Sequence, residues 1–136
     1  DFGRVRYVWA VHSSMLPDGA NGGNPGGFIV ELSEGPTFYY SGDTALTYDM
    51  KLFAQRHEID FAFLCIGDNF TMDAVDAATA ADFVGTNTAI GMHYDTFPPI
   101  EIDHEQAKQA FHDKGKSLVL PKIGETLSFD ELKVAA

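Results

Sequence analysis

The spacing of apolar residues predicts strands and helices in alternation, after an opening stretch that contains strands alone. Apolar runs at 4–11 and 27–32 are typical of strands. Turn residues at 33–36 predict that 37–41 pairs back on the second strand as a hairpin. The chain therefore begins as a small antiparallel sheet.

The middle of the chain changes from this pattern to a helical one. Leu46, Met50 and Phe53 have helical spacing, which predicts a helix over 46–58. The next segment, 59–66, is almost continuously apolar, as expected of a central strand that is covered on both faces of a parallel sheet.

Two further pairs of helix and strand complete an α/β pattern. One helix is predicted to start at a cap formed by Thr71 or Asp73. The next is predicted to start at Asp103, which forms a capping box with Gln106. The predicted elements are a helix to about 84, a strand over 86–92, a helix that ends at 115, a strand over 117–120 and a short amphipathic piece from 128.

Length and charge limit the function classes. The chain has 136 residues, of which 45% are hydrophobic, so we expect one folded domain. Twenty acidic and nine basic residues give a net charge of −11. Such a surface repels phosphate backbones, which disfavours nucleic acid as a partner, whereas a bound cation suits it well.

The single cysteine, Cys65, excludes an internal disulfide and a zinc site built on several thiolates. It fits a reducing, cytoplasmic location. No apolar run reaches the roughly 20 residues that span a bilayer, so we expect no membrane association. The chain starts at Asp1 within a few residues of its first strand, and we expect it to be a fragment of a longer domain.

The strongest chemical signal is a polar residue at the end of each of four predicted strands. These residues are His12, Asp43, Asp68 and His93. Ligand sites in α/β sheets form beyond the carboxyl ends of strands, so the four side chains are candidates for one site. Imidazole and carboxylate groups together hold zinc, manganese or iron.

Each of these residues also has a plainer interpretation. A histidine after a strand is often a satisfied capping side chain, and a Gly-Asp pair is an ordinary turn. A serine hydrolase with His12 beside Ser13 or Ser14 is disfavoured, because adjacent side chains on an extended chain point apart. His57 is interpreted as a favourable charge at a helix end, and His104 as a solvent-facing residue.

Five short motifs, in order, resemble the metallo-β-lactamase superfamily and, within it, a branch of metal-dependent hydrolases related to ascorbate-phosphate lactonases. The motifs are Val11-His12-Ser13-Ser14, Asn24-Pro25-Gly26-Gly27-Phe28, Tyr40-Ser41-Gly42-Asp43-Thr44, Ile66-Gly67-Asp68-Asn69-Phe70-Thr71-Met72 and Met92-His93-Tyr94-Asp95-Thr96-Phe97-Pro98.

The resemblance implies an α/β fold that is the C-terminal half of a four-layer αββα sandwich, with His12, Asp43 and His93 as metal ligands. Asp43 would bridge two divalent ions, zinc first and manganese or nickel as alternatives. Asp68 is assigned with Asp43 to catalysis. The substrate-binding residues implied are Asn69, Tyr94 and Thr96.

The H-x-H-x-D-H cluster of the family does not occur in this chain. We expect residues 1–136 to be part of a single domain whose first half, roughly 90 residues, is absent or belongs to another chain, by cleavage or separate encoding. Because half a sandwich exposes an apolar sheet face, we predict a companion chain carrying that half. Assembly as a homo-oligomer is a further alternative.

The resemblance implies hydrolysis by a metal-bound hydroxide, with a small molecule such as a lactone, amide or phosphoester as substrate. The alternative is a structural or binding half that has no catalysis until a partner completes the site. Ribonuclease activity, as in a related branch, conflicts with the charge of −11.

Overall fold

In the computed structural model, which describes residues 1–134, six strands form one mixed sheet in the order β1-β2-β3-β4-β5-β6. β1 to β3 pair antiparallel, and β3 to β6 pair parallel. The predicted α/β class is confirmed. The strands are β1 Gly3–Trp9, β2 Gly26–Leu32, β3 Thr37–Tyr40, β4 Phe61–Cys65, β5 Thr88–Met92 and β6 Ser117–Val119.

The helices match the predicted order, and the largest difference lies at α1. The predicted helix over 46–58 is a 3₁₀ turn at Tyr48–Met50 followed by four α-helical residues. A turn follows it, in which the amides of Arg56 and His57 both donate to the Phe53 carbonyl. The α-helices are α1 Lys51–Ala54, α2 Ala74–Phe83, α3 His104–His112 and α4 Phe129–Val134.

The helices α1 to α3 cover one face of the sheet, where the main core lies. Strand β4 is the central strand that its apolar sequence predicts, with Ala62 and Leu64 fully buried. Helix α2 contributes four buried alanines, whose small side chains allow the helix to lie close to the sheet. The largest fully buried side chains of this core are Tyr39, Phe111, Ile29, Met50 and Leu64.

The opposite face, which we name the open face, is apolar and largely uncovered at its β1 to β3 end. Cross-strand pairing places Tyr7 beside Phe28, and Phe28 beside Tyr40. Toward β4 and β5 the segment 127–132 covers the sheet in a second, smaller cluster. The exposed apolar side chains of the open face are Val5, Tyr7, Trp9, Phe28 and Tyr40.

None of the helices within residues 1–134 has the length and apolar character of a membrane span.

Candidate metal centre

Three of the predicted site residues line one cleft of about 380 Å³ at the edge of the sheet. They reach it from the segments that follow β1, β3 and β5. His93 Nε2 lies 3.5 Å from Asp43 Oδ2, and the two side chains are 28% and 46% exposed. The described residues that line the cleft are Val11, His12, Ser13, Asp43, Phe70, His93 and Phe97.

The buried Thr44 holds the segments of His12 and Asp43 together. Its hydroxyl accepts a hydrogen bond from the Val11 amide at 3.0 Å and donates one to the Ala45 carbonyl at 2.8 Å. The Ala45 amide in turn donates to the Val11 carbonyl at 3.0 Å. These bonds fix the end of the β1 segment against the turn after β3.

Gly42 makes the turn before Asp43 possible. Its φ of +60° lies in the left-handed region, which glycine adopts without a steric penalty. A Cβ at this position would lie 2.5 Å from the Gly26 carbonyl oxygen. The turn therefore requires glycine for both its backbone angle and its close approach to β2.

The hydrogen bond of His12 determines which ring nitrogen can bind a cation. Its Nδ1 lies 2.8 Å from the carbonyl oxygen of Ser13. Because a carbonyl oxygen can only accept, Nδ1 carries the proton in the neutral ring. Nε2 is then left with a free lone pair, which is the form of imidazole that ligates metals.

His93 has an unusual backbone angle, and its ring approaches the Asp43 carboxylate. It has a φ of +57°, an uncommon angle for a residue with a side chain. Its carbonyl packs against Gly67, where a Cβ would lie 2.2 Å from the His93 oxygen. Its buried Nδ1 has no hydrogen-bond partner among the described residues.

The donor types fit a divalent cation, but the set that this chain supplies is small. Two imidazoles and a carboxylate are ligands for zinc and related ions, and the unpartnered Nδ1 of His93 is a buried polar atom that a further ligand or partner would satisfy. However, no group of three or more histidine, cysteine, aspartate or glutamate side chains in residues 1–134 lies close enough to hold a metal ion.

Asp68 and Asn69 lie in the turn after β4, outside the lining of the cleft. Both have left-handed φ angles, +59° and +46°. The Asp68 carboxylate accepts from the Asn69 amide at 2.7 Å, and the Asn69 side-chain amide donates to the Pro99 carbonyl. In the structure Asn69 therefore ties the β4 turn to the loop after β5, and the catalytic role of Asp68 and the substrate role of Asn69 stay predictions.

Tyr94 and Thr96 follow His93 but also lie outside the cleft lining. The Tyr94 ring packs edge-on against His104, with centroids 5.7 Å apart. Burial, and secondarily the charge of Asp95, raise the pKa of Tyr94. Thr96 is exposed. Their assignment to substrate binding stays a prediction.

Two histidine interpretations from the sequence were incomplete. His57 is almost fully buried, and its Nδ1 lies 3.0 Å from Glu31 Oε1, so it pairs with β2 rather than acting as a free charge at a helix end. His104 is half exposed, as expected, but its Nε2 lies 2.5 Å from Asp95 Oδ2. Glu31 lies far from His57 along the chain, and an irregular turn separates Asp95 from His104. Hydrophobic periodicity reveals neither pairing.

Sequence reasoning also missed two aromatic residues at the cleft. Phe70 and Phe97 stack on each other with ring centroids 6.1 Å apart, and both are exposed. They give the cleft an apolar wall beside its polar residues. Their only sequence signal is that each stands inside a motif that carries a candidate site residue.

The family comparison defines the class of this protein. The Beta-lactamase superfamily domain matches residues 1–94, which is more than half of the chain. The chain belongs to the metallo-β-lactamase superfamily. Its sheet matches about half of the fold in solved structures of that class, as the sequence predicted.

Within the superfamily, the similar curated proteins are UPF0173 metal-dependent hydrolases. One from Flavobacterium johnsoniae is 55% identical over 127 residues, which are 93% of this chain and 56% of the relative. One from Methylacidiphilum infernorum is 51% identical over the same shares. The chain thus spans about half the length of these relatives.

A solved structure supports the same placement. Igni18, described as a metallo hydrolase from the archaeon Ignicoccus hospitalis, superposes with a TM-score of 0.78 at 31% identity. The match covers 90% of this chain and 51% of Igni18.

Proposed function

We propose that this chain supplies His12, Asp43 and His93 to the metal centre of a metal-dependent hydrolase. The observation that carries the proposal is their arrangement around one cleft, although 81 positions separate the first from the last along the chain. The UPF0173 relatives, which are named metal-dependent hydrolases, support the same reading.

Each residue has a role that follows from its surroundings. His12 presents Nε2 as a lone-pair donor, since its Nδ1 proton is engaged by the Ser13 carbonyl. Asp43 lies close to His93 and is partly exposed, so its carboxylate would be available to hold divalent ions, and the resemblance to the superfamily implies the bridging role for it. A bound divalent ion such as Zn²⁺ would lower the pKa of a coordinated water and polarise a substrate carbonyl or phosphoryl oxygen.

The remaining ligands would come from the part of the superfamily domain that lies outside this chain. Three donors that are not clustered tightly enough for a metal argue that residues 1–134 do not form a complete site. The exposed aromatic residues of the open face argue in the same direction, because monomers rarely leave a contiguous apolar patch uncovered. We therefore propose a companion half, on another chain or another part of the same one, that packs on the open face.

A second function follows from the same two observations. The chain alone would be a structural half that binds metal weakly and has no hydrolytic activity, and it would gain both properties only in the complex. Both readings expect weak metal binding by the isolated chain, so a metal titration separates them together from a site that this chain completes by itself.

The test uses this chain alone and in complex with the part of the Flavobacterium johnsoniae relative that lies outside the matched residues. We expect micromolar or tighter Zn²⁺ binding in the complex and weaker binding by the isolated chain, measured by calorimetry and elemental analysis. Tight binding of two ions by the isolated chain would overturn the proposal that a partner completes the site.

The matched variants are Asp43→Ala and, as a control outside the cleft, Asp49→Ala. We expect D43A to lose at least one ion per complex and nearly all hydrolysis of lactone and phosphoester probes, while D49A retains both. If D43A keeps its full metal content, Asp43 is not a ligand.

A further inference from the structure

The loop between β5 and α3 contains two residues in an uncommon backbone conformation. His93 and Asp95 have φ angles of +57° and +58°, in the left-handed region that side chains disfavour. Such angles persist only where surrounding contacts hold them. The contacts that hold this loop are therefore candidates for control of the His93 side chain.

Asp95 makes three of those contacts. Its amide donates to the Ile100 carbonyl at 2.8 Å, and its Oδ1 accepts from the Ile102 amide at 3.0 Å. Its Oδ2 lies 2.5 Å from His104 Nε2, in the first turn of α3. One side chain thus connects the His93 turn to the start of the next helix.

His93 itself lacks an equivalent support. Metal-bound histidines are commonly oriented by a hydrogen bond from the second ring nitrogen. The Nδ1 of His93 is buried and has no such partner among residues 1–134. The direction of its Nε2 toward Asp43 must then depend on the backbone turn and on packing.

We infer that Asp95 is a positioning residue that fixes the direction of His93 in the metal centre. It acts through the backbone turn, since its carboxylate is bonded to Ile102 and His104 and is not among the groups that line the cleft. This inference rests on the proposed function, in which His93 is a ligand.

Asp95 holds the turn from the side of α3, and a second contact holds it from the side of β4. There, Gly67 lies against the His93 carbonyl, and a Cβ at Gly67 would come within 2.2 Å of that oxygen. The two contacts leave the turn little freedom to rotate the imidazole. Loss of Asp95 would free one side only, so the fold should persist while the His93 direction is lost.

The test compares Zn²⁺ affinity and the visible spectrum of the Co²⁺-substituted protein for several variants of the complex described above. We expect Asp95→Ala to weaken Zn²⁺ binding about 10-fold or more, as is typical for residues that orient metal ligands. Asp95→Asn keeps an oxygen for the Ile102 amide and should recover part of that affinity. The Co²⁺ spectrum of D95A should change, because the imidazole no longer approaches the ion in a fixed direction.

Two controls separate positioning from general loss of stability. Asp73→Ala removes the cap of α2, on a different element, and should lower stability without a change in Zn²⁺ affinity. Glu101→Ala removes an exposed carboxylate from the same loop and should change neither. If D95A does not fold, the test uses D95N and His104→Ala instead, because each of them removes fewer contacts.

The outcomes distinguish this inference from the proposed function. If His93→Ala leaves Zn²⁺ affinity unchanged, His93 is not a ligand and both fail. If His93→Ala weakens binding while folded D95A, D95N and H104A all bind as the wild type does, the metal centre stands and the positioning role of Asp95 is overturned.

Discussion

At the scale of single residues, the geometry of the cleft depends on close backbone approaches that only glycine permits. Gly67 is the sharpest case, since its neighbour is the carbonyl of His93 and not a flexible side chain. A side chain at this position would displace the turn that carries the imidazole. A substitution at Gly67 would therefore affect both the stability of the fold and the position of His93 in the cleft.

Gly67→Ala should destabilise the protein by about 1 to 3 kcal/mol, the usual cost of forcing an extra methyl group into a packed site. Urea denaturation measures the change in the free energy of unfolding. The control is Gly35→Ala, whose Cβ would meet only the flexible Leu32 side chain, at 3.1 Å. Equal stabilities for the two variants would contradict the close packing of Gly67 on His93.

The sequence could bring His12, Asp43 and His93 to one cleft because each follows an apolar strand and the strand order places those strand ends at one edge; their role as ligands stays a prediction. It could not predict the partner of Asp95. His104 comes nine positions later, beyond a turn with left-handed residues and a 3₁₀ segment. No local pattern encodes such a path.

At the scale of elements, capping explains why the helix starts were predictable and the length of α1 was not. Asp73 and Asp103 accept hydrogen bonds from amides in the first turns of α2 and α3, as the sequence indicated. At α1, the helical spacing of Leu46, Met50 and Phe53 suited a long helix. The turn that ends α1 is stabilised by tertiary contacts, including that of His57 with Glu31.

Asp73→Ala should lower the free energy of unfolding by about 1 kcal/mol, because the Asp76 amide loses its partner at 2.7 Å. Asp73→Ser retains a capping oxygen and should recover most of the loss. Chemical denaturation of the three proteins checks the prediction. A Ser variant as unstable as the Ala variant would show that the side chain contributes something other than a cap.

The link between Asp95 and α3 predicts a dependence on pH. Hydrogen bonds, first from His104 and then from the Ile102 amide, hold the pKa of Asp95 below its usual value. The stabilisation is present above the unfolded pKa of about 3.9 and is lost as the pH falls through the lower folded pKa. Because both side chains are well exposed, we expect less than about 1 kcal/mol.

His104→Ala should raise the pKa of Asp95 toward its ordinary value, so that less stability is lost as the pH falls. Titration of the Asp95 side-chain carbon signal by NMR measures the shift directly. If both proteins titrate at the same pH, the ion pair does not form in solution.

At the scale of the whole molecule, the sheet has one face covered by helices and one face that is still apolar and exposed. The resemblance to a two-sheet sandwich predicted this, because half of such a sandwich leaves the inner face of its sheet exposed. Which part of the face the 127–132 segment covers could not be predicted, because its contacts are set by tertiary packing.

The single tryptophan, Trp9, lies on the open face and reports on its coverage. Its fluorescence should shift to shorter wavelength when the complementary half of the relative binds. Tyr7→Glu should weaken that binding at least 10-fold, because a charge would be buried in an apolar interface. Leu52→Glu, at an equally exposed position on the helical side, should not. An unchanged emission spectrum would show that the open face is not the docking surface.

The most direct test of the metal centre is an anomalous-difference map at the zinc edge, from crystals of the complex soaked in Zn²⁺. We predict zinc peaks in the cleft, each within about 2.0 to 2.2 Å of a donor atom from His12, Asp43 or His93. Zinc bound elsewhere, or a peak that contacts none of these three side chains, would contradict the account.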